Sequence, residues 1–321
     1  MDNWASTSWE SRDLQIAKDL MDPAKRTTAL RDYLEMHTSE AWFEDEDLLW
    51  DTLQSLSPEE RTAMISGPGG EAMLGRIRED LGANEIEMLD ALTNIDEESG
   101  LAMAKKEEVA AAKMLMAMKG AGDWWLGGID SWGTDESEVM SQLSDLSPEE
   151  VKKAMAYYNQ NCSGPGETFQ THIHGELSGA PMEVIQSELA GDKVAADAWR
   201  LKYAAQEDFW DLGGTDEKLI EDVFKSYQDG KGGRKPAQFA EVGQRFETMF
   251  GGEGGRYNDE SGGRSAMEVF LDDELSGLDR QFLGQMATKG EADPELEIMY
   301  AMRGAGTDEE RVKDILKKMY E

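Results

Sequence analysis

The chain is short of cysteine, positive charge and long apolar runs, and each shortage removes a class of protein. One cysteine, Cys162, in 321 residues excludes an internal disulfide framework and suits a reducing compartment, a condition that secretion without disulfides also meets. Nowhere do 18 apolar residues run together, so no segment reads as membrane-spanning. The start, Met1-Asp2-Asn3-Trp4-Ala5-Ser6, has neither the basic nor the apolar region of a signal peptide. The chain is therefore expected to be soluble. Basic residues number 32 against 67 acidic ones, a formal charge of −35, and no Lys/Arg run offers the footprint that nucleic acid needs. The same excess repels anionic headgroups, so membrane attachment requires a bridging divalent cation or an apolar insertion rather than polybasic attraction. A high-salt habitat, where solvated carboxylates keep a surface soluble, is the plainer account of the charge. Also lacking are a nucleophile elbow, a phosphate-cradling loop and a metalloprotease helix, so nothing argues for an enzyme. No alternating segment of strand length stands out, and the chain reads as all-α.

What is present is a repeat. A Gly-Thr-Asp-Glu tetrapeptide occurs at Gly133 to Glu136, Gly214 to Glu217 and Gly306 to Glu309, at intervals of 81 and 92 residues, the mark of stacked similar units. A second register supports it. Leu56-Ser57-Pro58-Glu59-Glu60 returns 90 residues later as Leu146-Ser147-Pro148-Glu149-Glu150, each a helix start with Ser as N-cap, Pro at the first helical position and Glu placed to close a capping box.

Periodicity divides the chain into an N-terminal arm over 1–25, a degenerate first repeat over 26–94, a second over 104–191, a third over 192–289 and a partial fourth over 292–321. The second carries a long loop with Trp124, Trp125 and Trp132. In the third, residues 229–263 hold ten glycines in 35, clustered at 229–235 and 251–263 and expected to be flexible insertions. Ala110, Met114, Ala117 and Met118 fall on one helix face, where methionine is core filling.

Glycines at alternate loop positions free carbonyl oxygens to point outward, which suits a hard cation with six to eight oxygen ligands. In the Thr-Asp-Glu that follows, Thr134, Thr215 and Thr307 read as N-caps and the Asp-Glu pair as dipole complementation. The series Met118-Lys119-Gly120-Ala121-Gly122, Leu212-Gly213-Gly214-Thr215-Asp216-Glu217 and Met302-Arg303-Gly304-Ala305-Gly306-Thr307-Asp308-Glu309, followed by Glu176-Leu177-Ser178-Gly179 and Glu274-Leu275-Ser276-Gly277, resembles the annexin repeat. The resemblance covers roughly residues 26–321, strongly in units two to four. It implies five helices per repeat, stacked into a curved disc, with Ca2+ held by carbonyls of the first interhelical loop and by a carboxylate just before helix five. Calcium-dependent binding to an anionic phospholipid membrane surface, at the convex face, would follow. So would a cytoplasmic, peripherally membrane-bound protein, or one secreted without a signal peptide.

Carried over residue by residue, the site of unit three comprises the carbonyls of Leu212 and Gly214, with Trp210 as a further donor, and the carboxylate of Glu274. In unit two Glu176 is the cap. There the Gly-Ala-Gly and the Gly-Thr-Asp-Glu are separated, so the donors are either Met118, Gly120 and Gly122 or Trp132 and Gly133. Unit four matches at Met302, Gly304 and Gly306, with its cap residue beyond the end of the sequence, which suggests either an excerpt of a longer chain or an edge completed by a protein partner or a second copy. Unit one keeps only Asp80 and is expected to lack a site. Trp124, Trp125 and Trp210 are expected to contact the membrane, since indole favours the bilayer interface, while Trp132 suits packing under its loop equally well. His172 and His174 with Glu176 sit on different helix faces, against a zinc site. Asn258-Asp259-Glu260 reads as a solvated loop. The alternative to membrane docking is a calcium-independent assembly module that uses the same shape for protein contacts.

Overall fold

The computed structural model describes residues 25–38, 46–119, 134–164, 166–205, 215–252, 255–259, 263–303 and 309–320. Among them are seventeen α-helices, and the one β-type pairing is an isolated bridge between Ile95 and Ala102. The protein is all-α. It divides into two compact units, one of residues 1–135 with 153–172, the other of residues 136–152 with 173–321.

The first unit contains α1 (Arg26–Thr38), α2 (Glu46–Ser55), α3 (Pro58–Ile65), α4 (Gly67–Asp80), α5 (Ala83–Thr93) and α6 (Lys106–Lys119). Helix α3 starts where the sequence says it should: Glu60 N–H donates to the Ser57 hydroxyl at 3.2 Å, and Ser57 N–H to the Glu60 carboxylate at 3.0 Å, a closed capping box. Leu34, Leu53, Met64, Ile77, Leu89 and Leu92 pack into one core, each worth about 1.5–3 kcal/mol when fully buried. Helix ends inside a core leave carbonyls without partners, and here arginines take them. Arg31 donates to Ala63 and Met64 at the end of α3. Arg61, 3% exposed, donates to Leu53, Leu56 and Ala102 at 2.9, 2.8 and 2.7 Å.

A π-turn over Tyr158–Cys162 also belongs to this unit and explains its polar cluster. Tyr158 and His172 Nδ1 share a 2.7 Å hydrogen bond, and His172 Nε2 meets Glu167 at 2.8 Å. Hydrogen bonds from His172 and then Lys119 hold the Glu167 carboxyl down at about 2. Burial pushes the Cys162 thiol up to about 12, which makes it a packed rather than a reactive cysteine. Both ring nitrogens of His172 are thus engaged, and among the described residues no group of three His, Cys, Asp or Glu side chains is placed to hold a metal.

The second unit contains α7 (Glu136–Asp145), α10 (Gly179–Leu189), α11 (Lys193–Ala204), α12 (Glu217–Asp229), α13 (Phe239–Phe250), α14 (Ala266–Glu274), α15 (Gly277–Lys289), α16 (Pro294–Ala301) and α17 (Glu309–Tyr320). Helices α8 (Pro148–Tyr157) and α9 (Phe169–Glu176) run from one unit into the other. Val223, Phe224, Phe246, Tyr257, Phe270 and Phe282 anchor its core. Beside that core lies a fully buried ion cluster. Glu188 and Asp197 meet Lys193, Arg200 and Arg234. The excess positive charge is absorbed by carbonyls at the end of α7: Lys193 donates to Leu143 and Leu146, Arg200 to Met140, and Arg234 to Ser144. Cations at the negative end of a helix are favourable.

This cluster corrects one expectation. The glycines at 229–235 are not a flexible insertion but a turn that delivers Arg234 into the protein. Gly230, Gly232 and Gly233 all have positive φ, and a Cβ on Gly232 would stand 2.1 Å from the Ser144 carbonyl oxygen. Gly232→Ala is therefore expected to cost at least about 2 kcal/mol, through left-handed strain plus a backbone clash, read as a fall in the urea midpoint with m unchanged.

Candidate functional site

The repeated loops are closed by the same clip in both places where the structure shows their ends. Asp135 N–H donates to the Ala117 carbonyl at the end of α6, and Asp216 N–H donates to the Ala204 carbonyl at the end of α11, each at 2.9 Å. In each case the Asp of Thr-Asp-Glu ties the chain back to the preceding helix. A second correction follows. The N-cap of α12 is Asp216, whose side chain accepts from Leu219 N–H at 2.9 Å, not Thr215.

Thr215 has another use: its hydroxyl donates to Glu274 Oε2 at 3.2 Å, across 59 residues of sequence. Glu274 is the last residue of α14, a helix fixed at its start by a Ser265–Glu268 capping box. The other oxygen, Oε1, accepts from Tyr257 OH at 3.0 Å and from the Arg256 guanidinium at 2.8 Å. Tyr257 is wholly buried against Phe246 and Phe270, so the phenol is a rigid donor; burial, then the Glu274 charge, pushes its pKa up. Lys202 lies over the same ring at 5.5 Å, and burial followed by Arg256 lowers its pKa. The carboxylate lies beside Thr215, the first described residue after the third-repeat loop, and offers the oxygen donors that a hard cation takes. A calcium ion there would take Glu274 as its charged ligand. The expected carbonyl donors Leu212 and Gly214, together with Trp210, lie outside the described residues.

The two Glu-Leu-Ser-Gly segments adopt one conformation. Glu176 ends α9 as Glu274 ends α14. The following Leu177 and Leu275 are each 6% exposed, Ser178 and Ser276 are extended, and Gly179 and Gly277 have φ of +64° and +54°. The left-handed glycine turns the chain into the next helix, the buried leucine anchors the turn, and the glutamate is left at the helix end. Glu176 is exposed. Met118 is buried in the core by its side chain, while Gly120, Gly122, Trp124, Trp125, Trp132 and Gly133 lie outside the described residues. In unit four Met302 is 57% exposed. Its neighbour Arg303 lies over the Tyr300 ring and pairs with Asp279; Gly304 and Gly306 are outside the described residues. Asp80 ends α4 in unit one, the same position with respect to its helix. Asp259 accepts from Gly263 and Arg264 N–H, folding the second insertion on itself.

Sequence reasoning missed Thr215, Arg256 and Tyr257 as partners of Glu274. The available signal was Tyr257 itself, since an aromatic residue amid glycines is an anchor rather than a spacer.

No family model and no curated protein sequence matches the chain. Solved structures with a similar chain path include a point mutant of annexin A8 with an intact N-terminus (17% identity, 89% of this chain and 79% of that one, TM-score 0.35). Chicken annexin V is similar at 20% identity, over 89% and 80%, with TM-score 0.35. Calcium-bound alpha-14 giardin is similar at 15%, over 90% and 85%, with TM-score 0.34. Likeness at this level does not set a family, and the functional reading rests on the chain's own loops.

Proposed function

We propose that the chain is an array of helical repeats that binds calcium through the first interhelical loops of its second and third repeats and docks by way of the ion on acidic phospholipid. The observation that supports it most is Glu274, carried across 59 residues to Thr215, with Glu176 in a turn of similar conformation. A net charge of −35 rules out polybasic attraction to an anionic surface and leaves a bridging cation or an apolar insertion to make the contact. Among the described residues no helix is long and apolar enough to cross a membrane, so attachment would be peripheral. Leu212, Gly214 and Glu274 form the third-repeat site in this reading, and Glu176 with the Met118, Gly120 and Gly122 carbonyls the second. Trp124, Trp125 and Trp210 would enter the interface beside the ions. Met302, Gly304 and Gly306 supply a further set of carbonyls.

Replacing both carboxylates removes the one charged protein ligand from each ion. The Glu274→Gln/Glu176→Gln variant is expected to lose calcium-dependent sedimentation with phosphatidylserine-containing vesicles, and sedimentation equal to that of the parent protein would defeat the reading. A specific observation favours the alternative of a calcium-independent assembly module: the Glu274 carboxylate accepts from three protein donors, Thr215, Tyr257 and Arg256. No heat of mixing at millimolar calcium would decide for that alternative.

A further inference from the structure

We infer that Arg256 is a built-in competitor for the third-repeat cation site, a residue that sets how much calcium is needed to fill it. The inference rests on the calcium reading of Glu274. Three donors hold that carboxylate, and they differ in how they answer an incoming cation. Tyr257 is 0% exposed and wedged between Phe246 and Phe270, so its hydroxyl stays in place and remains a neutral neighbour. Thr215 contributes a hydroxyl whose oxygen has lone pairs of its own, and rotating its hydrogen away removes no charge from the site. Arg256 is different in kind. It carries a full positive charge, its nitrogen is 2.8 Å from Oε1, and its side chain is 51% exposed against 9% for Glu274.

A divalent ion at Glu274 would stand within a few ångströms of that guanidinium, where like charges repel. Carboxylate oxygens can serve the ion or the arginine but not both with full strength, so binding must expel Arg256. Its exposure gives it water to move into. The geometry explains why the arginine comes from the glycine-rich segment 251–263. Tyr257, next in sequence, pins that segment into the core, and the glycines around it allow the backbone to pass close by: a Cβ on Gly255 would lie 2.3 Å from the Phe250 carbonyl oxygen. Lys202, 5.5 Å from the centroid of the Tyr257 ring, interacts electrostatically with both Arg256 and Glu274 and adds a second positive charge beside the carboxylate. Glu176, exposed at the equivalent turn, gives the protein a second cap carboxylate against which the effect can be compared.

Calorimetric calcium titrations of the full chain, the Arg256→Gln variant and the Glu274→Gln variant test the proposal. Far-UV circular dichroism at matched concentration establishes that all three are folded, and the calcium-induced rise in melting temperature gives an independent readout. Arg256→Gln is expected to bind calcium about two- to fivefold more tightly than the parent, the scale of an exposed ion pair, with a larger thermal shift at the same subsaturating calcium. Glu274→Gln is expected to lose one binding event. Loss of that event with an Arg256→Gln affinity equal to or weaker than the parent's would overturn the competitor while leaving the site standing. A Glu274→Gln titration indistinguishable from the parent's, or no heat from any of the three, would overturn the site itself and the competitor with it.

Discussion

Asp197→Ala is expected to destabilise the protein by about 3–5 kcal/mol, the cost of stripping one partner from a buried ion network. Asp197 is 1% exposed and accepts four hydrogen bonds: from Arg200 and Arg234 on Oδ1, and from Arg234 and Tyr227 on Oδ2. Without it, Glu188 alone would face Lys193, Arg200 and Arg234, all of them buried. The carbonyls at the end of α7 can solvate part of that charge but cannot neutralise it. Burial alone would raise the Asp197 pKa, but the Arg234 and Arg200 charges override it and hold the carboxyl below its ordinary value. A depressed carboxyl gives its full stabilisation above the unfolded pKa of 3.8 and loses it as the pH falls through the folded value. The variant should therefore show not only a lower melting temperature at neutral pH, by about 4–7 °C for a chain of this size, but also a flatter decline in acid. A loss under about 1 kcal/mol in urea titration would mean that the cations find other partners. The figure measures truncation, not the net worth of the network, since a well-packed apolar replacement of the whole cluster often costs nothing.

That network was invisible in the sequence, and the reason is physical. Capping boxes, Glu-Leu-Ser-Gly turns and helical stripes are decided by residues three or four apart, so Ser57, Ser265, Gly179 and Gly277 could be read from their neighbours alone. Glu188, Asp197 and Arg234 belong to two helices and a turn, and only tertiary packing brings them together. Glycine-rich sequence misled for a related reason. Gly230, Gly232 and Gly233 look like spacers, yet each supplies a positive φ that lets Arg234 turn inward. In the candidate site the carboxylate Glu274 was legible because its turn recurs at Glu176. Thr215 was not, because a threonine before Asp-Glu suits a helix cap equally well, and only the Asp216 to Leu219 bond frees it for Glu274.

The second large effect is expected in the first unit, from Arg61→Met. Methionine fills much of the space of the arginine stem, so the change tests hydrogen bonding more than volume. It would leave the Leu53, Leu56 and Ala102 carbonyls buried without their donor, at about 1 kcal/mol or more for each, or roughly 3 kcal/mol together. Arg61→Lys should fall between, since an ammonium lacks the planar fork that reaches three acceptors at once. Burial lowers the Arg61 pKa, yet guanidinium remains charged at any working pH, so the loss should not vary between pH 6 and 9. The internal repeat sharpens the prediction. Ninety residues on, Leu143 and Leu146 occupy the places of Leu53 and Leu56, and Val151, 2% exposed, occupies the place of Arg61. The donor has moved, for Lys193 now serves both carbonyls at 3.1 and 2.6 Å. The requirement for a cation at the end of this helix thus outlasts the residue that meets it, and Lys193→Met should destabilise at least as much as Arg61→Met, because it also leaves Glu188 short of a partner. Urea titrations in which Arg61→Met costs under 1 kcal/mol would show that water reaches those carbonyls and that the buried arginine is dispensable.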